Sequence, residues 1–97
     1  MTFEEFLASV KNPAPPPVGD ALRALWHDAR GDWEAAHSVA QDVRSDAGSW
    51  VHAYLHRKEG DQSNAAYWYH RAGKPVARGP LEAEWKAIAA ALLAGGD

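Results

Sequence analysis

The segments LRALWHDARGDWEAA (Leu22–Ala36) and VHAYLHRKEGDQSNA (Val51–Ala65) lie 29 residues apart and share one pattern of apolar residues and turn residues. Each has apolar residues three and four positions apart, which is the spacing of one helix face, followed by a Gly-Asp pair and a second apolar stripe. Glycine readily ends a helix in the left-handed conformation, and aspartate caps the helix that follows. Each segment therefore predicts two antiparallel helices joined by a tight turn.

The two segments are an internal repeat of one helical hairpin. When the chain is shifted by 29 residues, the Gly-Asp pair at 31–32 falls on the pair at 60–61, and an alanine follows each pair at the same distance. A single hairpin cannot bury its own apolar face, so neighbouring hairpins stack. We therefore expect two stacked hairpins over residues 20–47 and 49–75, with small residues at the close helix crossings.

Further helices flank the hairpins in the sequence. Thr2 and Glu5 form a capping box that opens an N-terminal helix over residues 1–12, and a proline-rich spacer follows over residues 13–18. Residues 80–94 form a C-terminal capping helix. The predicted inward-facing residues of these two helices are Phe3, Phe6, Leu7, Val10, Leu81, Trp85, Ile88, Ala89 and Leu92. No segment alternates with a period of two, so the predicted fold is a single all-α domain of about six helices over residues 1–97.

The composition narrows the classes of function. The chain is 46% hydrophobic and 24% charged, as in a globular protein, and it has no cysteine for a disulfide, a thiolate nucleophile or a cysteine-held metal. Its acidic N-terminus and lack of long apolar runs predict a cytoplasmic bacterial protein without membrane contact. Five basic residues in segment 50–79 stand against two acidic ones, which is too weak an excess to predict nucleic-acid binding.

Two patterns at the turns resemble a known repeat family. The pattern D-x-x-x-A-x-x-W-Y-x-R-A over residues 61–72 resembles the second half of the Sel-like repeats, a branch of the tetratricopeptide superfamily. The pattern G-x-W-x-x-A over residues 31–36 resembles the tetratricopeptide turn. Residues 25–75 as a whole are similar to a group of small bacterial proteins. The first helix of each hairpin lacks the family's leucine–glycine pair, and His52 and His56 stand where the family is apolar or tyrosine. The resemblance implies a protein-interaction scaffold.

Two histidines of the second hairpin lie on one side of a helix. His52 and His56 are four residues apart, and Glu59 follows three residues later. Two histidines and a carboxylate are a legitimate zinc-ligand set. The zinc-protease pattern, however, requires a glutamate directly after the first histidine, and Ala53 stands there. The alternative is a polar wall between helices. We prefer the polar wall and predict no cofactor. His52, His56 and Glu59 are the candidate ligands for the case in which a metal binds.

The aromatic run over residues 67–71 exceeds what one buried helix face can use. Successive helical residues are about 100° apart, so with Trp68 and Tyr69 directed inward, Tyr67 points away, and Arg71 lies one turn on. An exposed tyrosine beside an arginine is typical of an interaction hot spot. The alternative is a Tyr67 covered by the terminal helix or the spacer. The predicted interaction surface consists of His52, His56, Tyr67, His70 and Arg71.

These features favour a non-catalytic module that binds a partner protein. No serine stands in a Gly-x-Ser-x-Gly setting, no glycine loop is built to cradle phosphate, and most carboxylates fall at helix starts, where the helix dipole explains them. We therefore predict no catalytic residue. Two alternatives stay open: a structural protein that self-associates as a homodimer, and a small metal- or ligand-binding enzyme that uses His52 and His56.

Overall fold

Six α-helices form the regular structure of residues 1–96, the part of the chain that the computed structural model describes. The helices are α1 (Phe3–Ser9), α2 (Asp20–Ala29), α3 (Trp33–Ala40), α4 (Asp46–Glu59), α5 (Gln62–Ala72) and α6 (Leu81–Ala91), and a π-helical turn over Leu92–Gly96 follows α6. No β-strand occurs in these residues, so the predicted all-α class is confirmed. Within the same range, no helix has the length and apolar character that crossing a membrane requires.

Helices α2 and α3 form one antiparallel hairpin, and α4 and α5 form the other. At the two turns Gly31 and Gly60 adopt φ angles of +81° and +91°, the left-handed conformation that a side chain disfavours. Asp32 and Asp61 each accept a hydrogen bond from the backbone N–H three residues later. The predicted turn glycines and aspartate caps are confirmed, as is the capping box at Thr2.

The junction between the hairpins differs from the prediction. The apolar spacing Ala36, Val39, Ala40, Val43 predicts Val43 on the third helix, and the segment 46–49 predicts Ser49 as a cap or turn residue. Instead, Val43 lies in the linker 41–45 and Ser49 is a buried residue of α4. Ser45 is the actual N-cap, because its hydroxyl accepts the backbone N–H of Gly48 at 3.1 Å. Gly48 also lets the linker lie directly on α4, since a Cβ there would overlap Val43.

Helix α1 faces the core with a different side from the one that its apolar stripe predicts. Leu7, which we expected inside, is 44% exposed, whereas Ser9 is buried. The rotation follows from two contacts: the Phe6 ring stacks on Trp85 of α6 at 5.8 Å, and the Trp26 indole donates to the Ser9 carbonyl at 3.0 Å. Phe6 therefore sits in the core while Leu7 faces solvent.

The ends of α2 also differ from the prediction. Aspartate is a preferred N-cap residue, so the sequence predicts Asp20 as the cap of α2. In the structure Gly19 is the N-cap residue, and Asp20 pairs with Arg23 one turn later. The apolar spacing Leu22, Leu25, Trp26, Ala29 predicts Ala29 on the inner face of α2, but Ala29 is exposed. The inward position near the end of α2 belongs to Asp28, which α4 binds through hydrogen bonds.

Helix α4 is the central helix of the fold. Between Ala47 and His56 every residue is buried except the half-buried Trp50. Helices α2, α3, α5 and α6 all pack against α4. The largest fully buried side chains, which mark the core around it, are Tyr69, Phe6, Leu25, Leu55, Ile88 and Val51.

A buried carboxylate attaches α2 to α4. The Tyr54 hydroxyl donates to Asp28 Oδ2 at 2.9 Å, and Lys58 Nζ donates to Asp28 Oδ1 at 2.9 Å. Burial, together with the neighbouring Asp28 carboxylate, raises the pKa of Tyr54. Tyr54 therefore stays protonated and remains a donor to the carboxylate.

A second buried carboxylate attaches α6 to the α4–α5 hairpin. Arg57 Nη1 donates to Glu84 Oε1 at 2.8 Å, and the Tyr69 hydroxyl donates to the other carboxylate oxygen. Arg57 also donates to the Gly79 carbonyl in the loop before α6. Burial and the Glu84 carboxylate raise the pKa of Tyr69, so the tyrosine keeps its proton.

Enlarging a small residue at the α4–α5 crossing should destabilise the domain. Ala65 is fully buried, as is Ala36 at the corresponding position of the first hairpin. We expect Ala65→Leu or Ala36→Leu to lower the free energy of unfolding by about 1–3 kcal/mol, because the added methyl groups force the helices apart. Urea denaturation measures the change. Ala66→Leu, at an exposed position on the same helix as Ala65, is the control. Equal urea midpoints for Ala65→Leu and Ala66→Leu would contradict a close crossing.

Neutralising Glu84 should weaken the attachment of α6. Glu84→Gln leaves Arg57 buried without its counter-ion, and we expect the free energy of unfolding to fall by about 3 kcal/mol. Glu82→Gln is the matched control, because Glu82 pairs with Lys86 on the exposed side of the same helix. That change should cost about 0.5 kcal/mol or less. The account of α6 fails if thermal or urea unfolding shows the two variants equally stable.

Candidate functional site

Three histidine side chains meet between α3 and α4. His37 comes from α3, and His52 and His56 come from successive turns of α4. One ring nitrogen of each lies within 4.8 Å of the others. The Nε2 atoms of His37 and His52 are 3.0 Å apart, a hydrogen-bond distance. His52 and His56 are only 6% and 7% exposed, and His37 is half-buried. We call these three residues the histidine cluster.

Two tryptophans flank the histidine cluster. Trp33, one turn before His37 on α3, stacks on the His37 ring with centroids 4.9 Å apart, and its indole N–H donates to the Leu55 carbonyl at 2.9 Å. Trp68 from α5 stacks on the His52 ring at 4.1 Å. The imidazole rings of His37 and His52 are therefore held in their orientations by large aromatic neighbours.

Glu59 orients the third histidine. His56 Nδ1 donates to Glu59 Oε2 at 2.7 Å. In the neutral tautomer that makes this bond, Nε2 is the ring nitrogen with a free lone pair. The sequence grouped Glu59 with His52 and His56 as metal ligands, whereas the structure places His37 with the two histidines and Glu59 behind His56. A second group of potential ligands, formed by His56, Glu59 and Asp61, shares only His56 with the cluster.

Burial keeps two members of the histidine cluster, His37 and His52, uncharged at neutral pH. Desolvation, followed by the neighbouring His56 and His37 rings, lowers the pKa of His52 to about 4. Desolvation also lowers the pKa of His37, and the nearby His56 lowers it further. At pH 7 both rings consequently present an unprotonated nitrogen.

A polar crevice of about 430 Å³ leads from solvent to the histidine cluster. Residues of the linker 41–45, of the first half of α4 and of the second half of α5 line it. His52 and the buried Ser49 line the inner part, while Arg44 and Arg71 supply positive charge. Neither arginine has a carboxylate partner within the described residues, and Asp46 is the acidic residue in the crevice lining.

An exposed aromatic side chain adjoins the crevice. Tyr67 is 52% exposed on α5, and Arg71 Nη1 donates to its hydroxyl at 3.1 Å. The guanidinium of Arg71 lies 5.3 Å from the centre of the Trp68 ring, within cation–π range. His70 is exposed on the same helix.

The structure divides the predicted interaction surface into two parts. Tyr67, His70 and Arg71 are accessible to a partner, as the spacing of the aromatic run predicted for Tyr67. His52 and His56 are buried in the histidine cluster and are not part of that exposed surface, because α3 and α5 cover the flank of α4 on which they lie. His52 alone of this pair lines the crevice.

A second concavity, of about 800 Å³, lies between α1, α2, α4 and α6. Leu7 and Trp85 form part of an apolar lining, and Tyr54 contributes with the Asp28–Lys58 ion pair. The sequence did not predict this groove, because its shape depends on the rotation of α1 that exposes Leu7.

His37 is the site residue that sequence reasoning missed. The available signal was its position one turn after Trp33, on a helix expected to stack against the second hairpin. The repeat alignment gave no hint, because the equivalent position in the second hairpin is Ala66.

No protein-family model, curated protein or solved structure matches this chain. The resemblance of residues 25–75 to tetratricopeptide-type repeats stays a prediction that rests on the turn patterns. The function is therefore inferred from the geometry of the histidine cluster, the crevice and the exposed face of α5.

Proposed function

We propose that this chain is a non-catalytic protein-interaction module that binds an acidic segment of a partner protein. The binding surface consists of Tyr67, His70 and Arg71 on α5 together with Arg44 at the mouth of the crevice. The observation that carries the proposal is Tyr67, a large aromatic residue that is half-exposed yet held in place by a hydrogen bond from Arg71. The repeat-like arrangement of paired helices supports it by analogy alone.

Tyr67 and Arg71 have the chemistry of interface hot spots. Tyrosine and arginine are enriched among residues that contribute most binding energy, because each combines a large contact surface with directional hydrogen bonds. Arg71 is already positioned by the Tyr67 hydroxyl and by the Trp68 ring. A partner therefore has less side-chain entropy to overcome on binding.

The charges around the crevice favour an acidic partner. The chain has a net charge of −3, but Arg44 and Arg71 stand at the crevice without carboxylate partners within residues 1–96. Lys74 lies near the same end of α5, over the Trp50 ring. Arginine binds carboxylates through two parallel hydrogen bonds, so Asp and Glu side chains of a partner are suitable ligands. Asp46 in the crevice lining repels acidic side chains, so the crevice itself binds fewer of them than the two arginines alone would.

Selection of peptides from a random display library tests the proposal directly. We expect wild-type protein to enrich sequences with several Asp or Glu residues. The affinity of a synthetic peptide from that set, measured by fluorescence anisotropy, should fall at least about 10-fold in a Tyr67→Ala/Arg71→Ala double variant. Affinity should also fall as salt is raised, because the surface charges are screened.

A matched double variant controls for loss of exposed surface in general. Val76→Ala/Arg78→Ala removes an exposed apolar residue and a cation from the loop after α5, and it should leave peptide affinity unchanged. Both variants should keep the thermal midpoint of the parent. The proposal is contradicted if enriched peptides share no acidic pattern, if Tyr67→Ala/Arg71→Ala binds normally, or if that variant unfolds. A dimer in sedimentation analysis whose formation blocks peptide binding would favour the homodimer instead.

A further inference from the structure

We propose that His37, His52 and His56 bind one divalent transition-metal ion of the zinc type. This inference concerns the interior of the molecule and is independent of the proposed peptide surface. Three imidazoles from two helices converge, each with a ring nitrogen within 4.8 Å of the others. Three histidines are the protein ligands of one well-known class of zinc site, in which the fourth position is left to water or another ligand.

The distance between His37 and His52 is close to that of a metal site. Zinc–nitrogen bonds of about 2.0–2.1 Å place two nitrogens of a tetrahedral site about 3.3 Å apart. His37 Nε2 and His52 Nε2 are 3.0 Å apart. An ion can therefore replace the proton between these two nitrogens with a small ring displacement. The His56 nitrogen, which lies within 4.8 Å of the other two, moves closer to complete the site.

The surroundings of His56 match the outer shell of a metal site. A histidine that ligates a metal generally donates its other ring N–H to a carboxylate or carbonyl, which sets the tautomer and the ring orientation. His56 does so through Nδ1, which donates to Glu59 at 2.7 Å. Its Nε2 is the nitrogen that remains to bind an ion.

The aromatic neighbours restrict both the rings and the choice of ion. Trp33 and Trp68 stack on His37 and His52, so these two rings lose little freedom when an ion binds. Imidazole nitrogens suit zinc, cobalt, nickel and copper ions, whereas magnesium and calcium require oxygen ligands. His52 also lines the polar crevice, which gives an ion a route from solvent.

The second ligand group offers a competing position that the test must separate. His56, Glu59 and Asp61 also bring one ligand atom each within 4.8 Å. Asp61, however, uses its carboxylate to cap α5 by accepting the Asn64 backbone N–H at 3.2 Å. An ion at that position would compete for the Asp61 carboxylate that caps α5 and for the His56–Glu59 hydrogen bond, whereas an ion among the three histidines replaces a single imidazole hydrogen bond.

Cobalt spectroscopy on wild-type protein without a polyhistidine tag tests the site. After metal is removed with a chelator, titration with Co²⁺ should give a visible band of tetrahedral intensity that saturates at one ion per chain. Zn²⁺ should remove the band, and Mg²⁺ should not. A weak band of octahedral intensity, or no saturation, would overturn the proposal.

Variants locate the ion. His37→Asn, His52→Asn and His56→Asn should each weaken Zn²⁺ affinity at least about 100-fold, and Glu59→Gln about 10-fold, as for other outer-shell partners. His27→Asn and His70→Asn, outside the cluster, should bind as wild type does. If Asp61→Asn abolishes binding while His37→Asn does not, the ion occupies the second group and the proposal is wrong.

X-ray absorption of the zinc-loaded wild-type protein covers the case in which a cluster variant fails to fold. The zinc edge should show three imidazole ligands at about 2.0 Å. One or two imidazoles would contradict the assignment, whatever the variants do.

Discussion

Helix α4 is covered by other helices along most of its length, and its buried side chains include polar ones. A buried polar group needs a hydrogen-bond partner, since leaving it unpaired costs about 1–3 kcal/mol. Tyr54 forms a hydrogen bond with Asp28 on α2, and His52 forms one with His37 on α3. No fully buried side-chain nitrogen or oxygen lacks a partner within the described part of the chain. The polar residues of α4 therefore determine where neighbouring helices lie, whereas apolar contacts alone would allow them to slide.

This constraint explains the contrast between the two ends of the molecule. Helix α6 is attached to the α4–α5 hairpin through Glu84, Arg57 and Tyr69. Helix α1 lacks such a buried ion pair in residues 1–96. It attaches through the Phe3 and Phe6 rings against Trp85, the Ser9 carbonyl, and exposed hydrogen bonds from Arg30 to the Val10 and Asn12 carbonyls. Regions held by fewer buried contacts open at lower free energy than the core. The apolar groove beside α1 therefore borders the least firmly held helix.

Local signals in the sequence were sufficient for the helices and their turns. Gly31 and Gly60 end helices in the left-handed conformation for reasons that each residue carries itself. The junction at Ser45 was not predictable in the same way, because it depends on the linker lying against Gly48. The exposure of Leu7 likewise depends on which side of α1 meets Trp85. Such features are set by the packing of distant segments, which periodicity does not encode.

The candidate site shows the same division. Helical geometry alone predicted that Tyr67 points outward beside Arg71. It also placed His52 and His56 on one side of α4, but whether that side is covered depends on α3 and α5. Their burial, and the arrival of His37 between them, follow from the stacking of the hairpins. A histidine cluster built from two helices therefore emerges only when the tertiary packing is known.

Native-state hydrogen exchange tests the central role of α4 most directly. We expect backbone amides of residues 51–57 to exchange only when the whole domain unfolds, with a free energy of opening equal to that from urea denaturation. Amides of α1 should open at a clearly lower free energy. The account is contradicted if α4 exchanges through local opening at a free energy at or below that of α1.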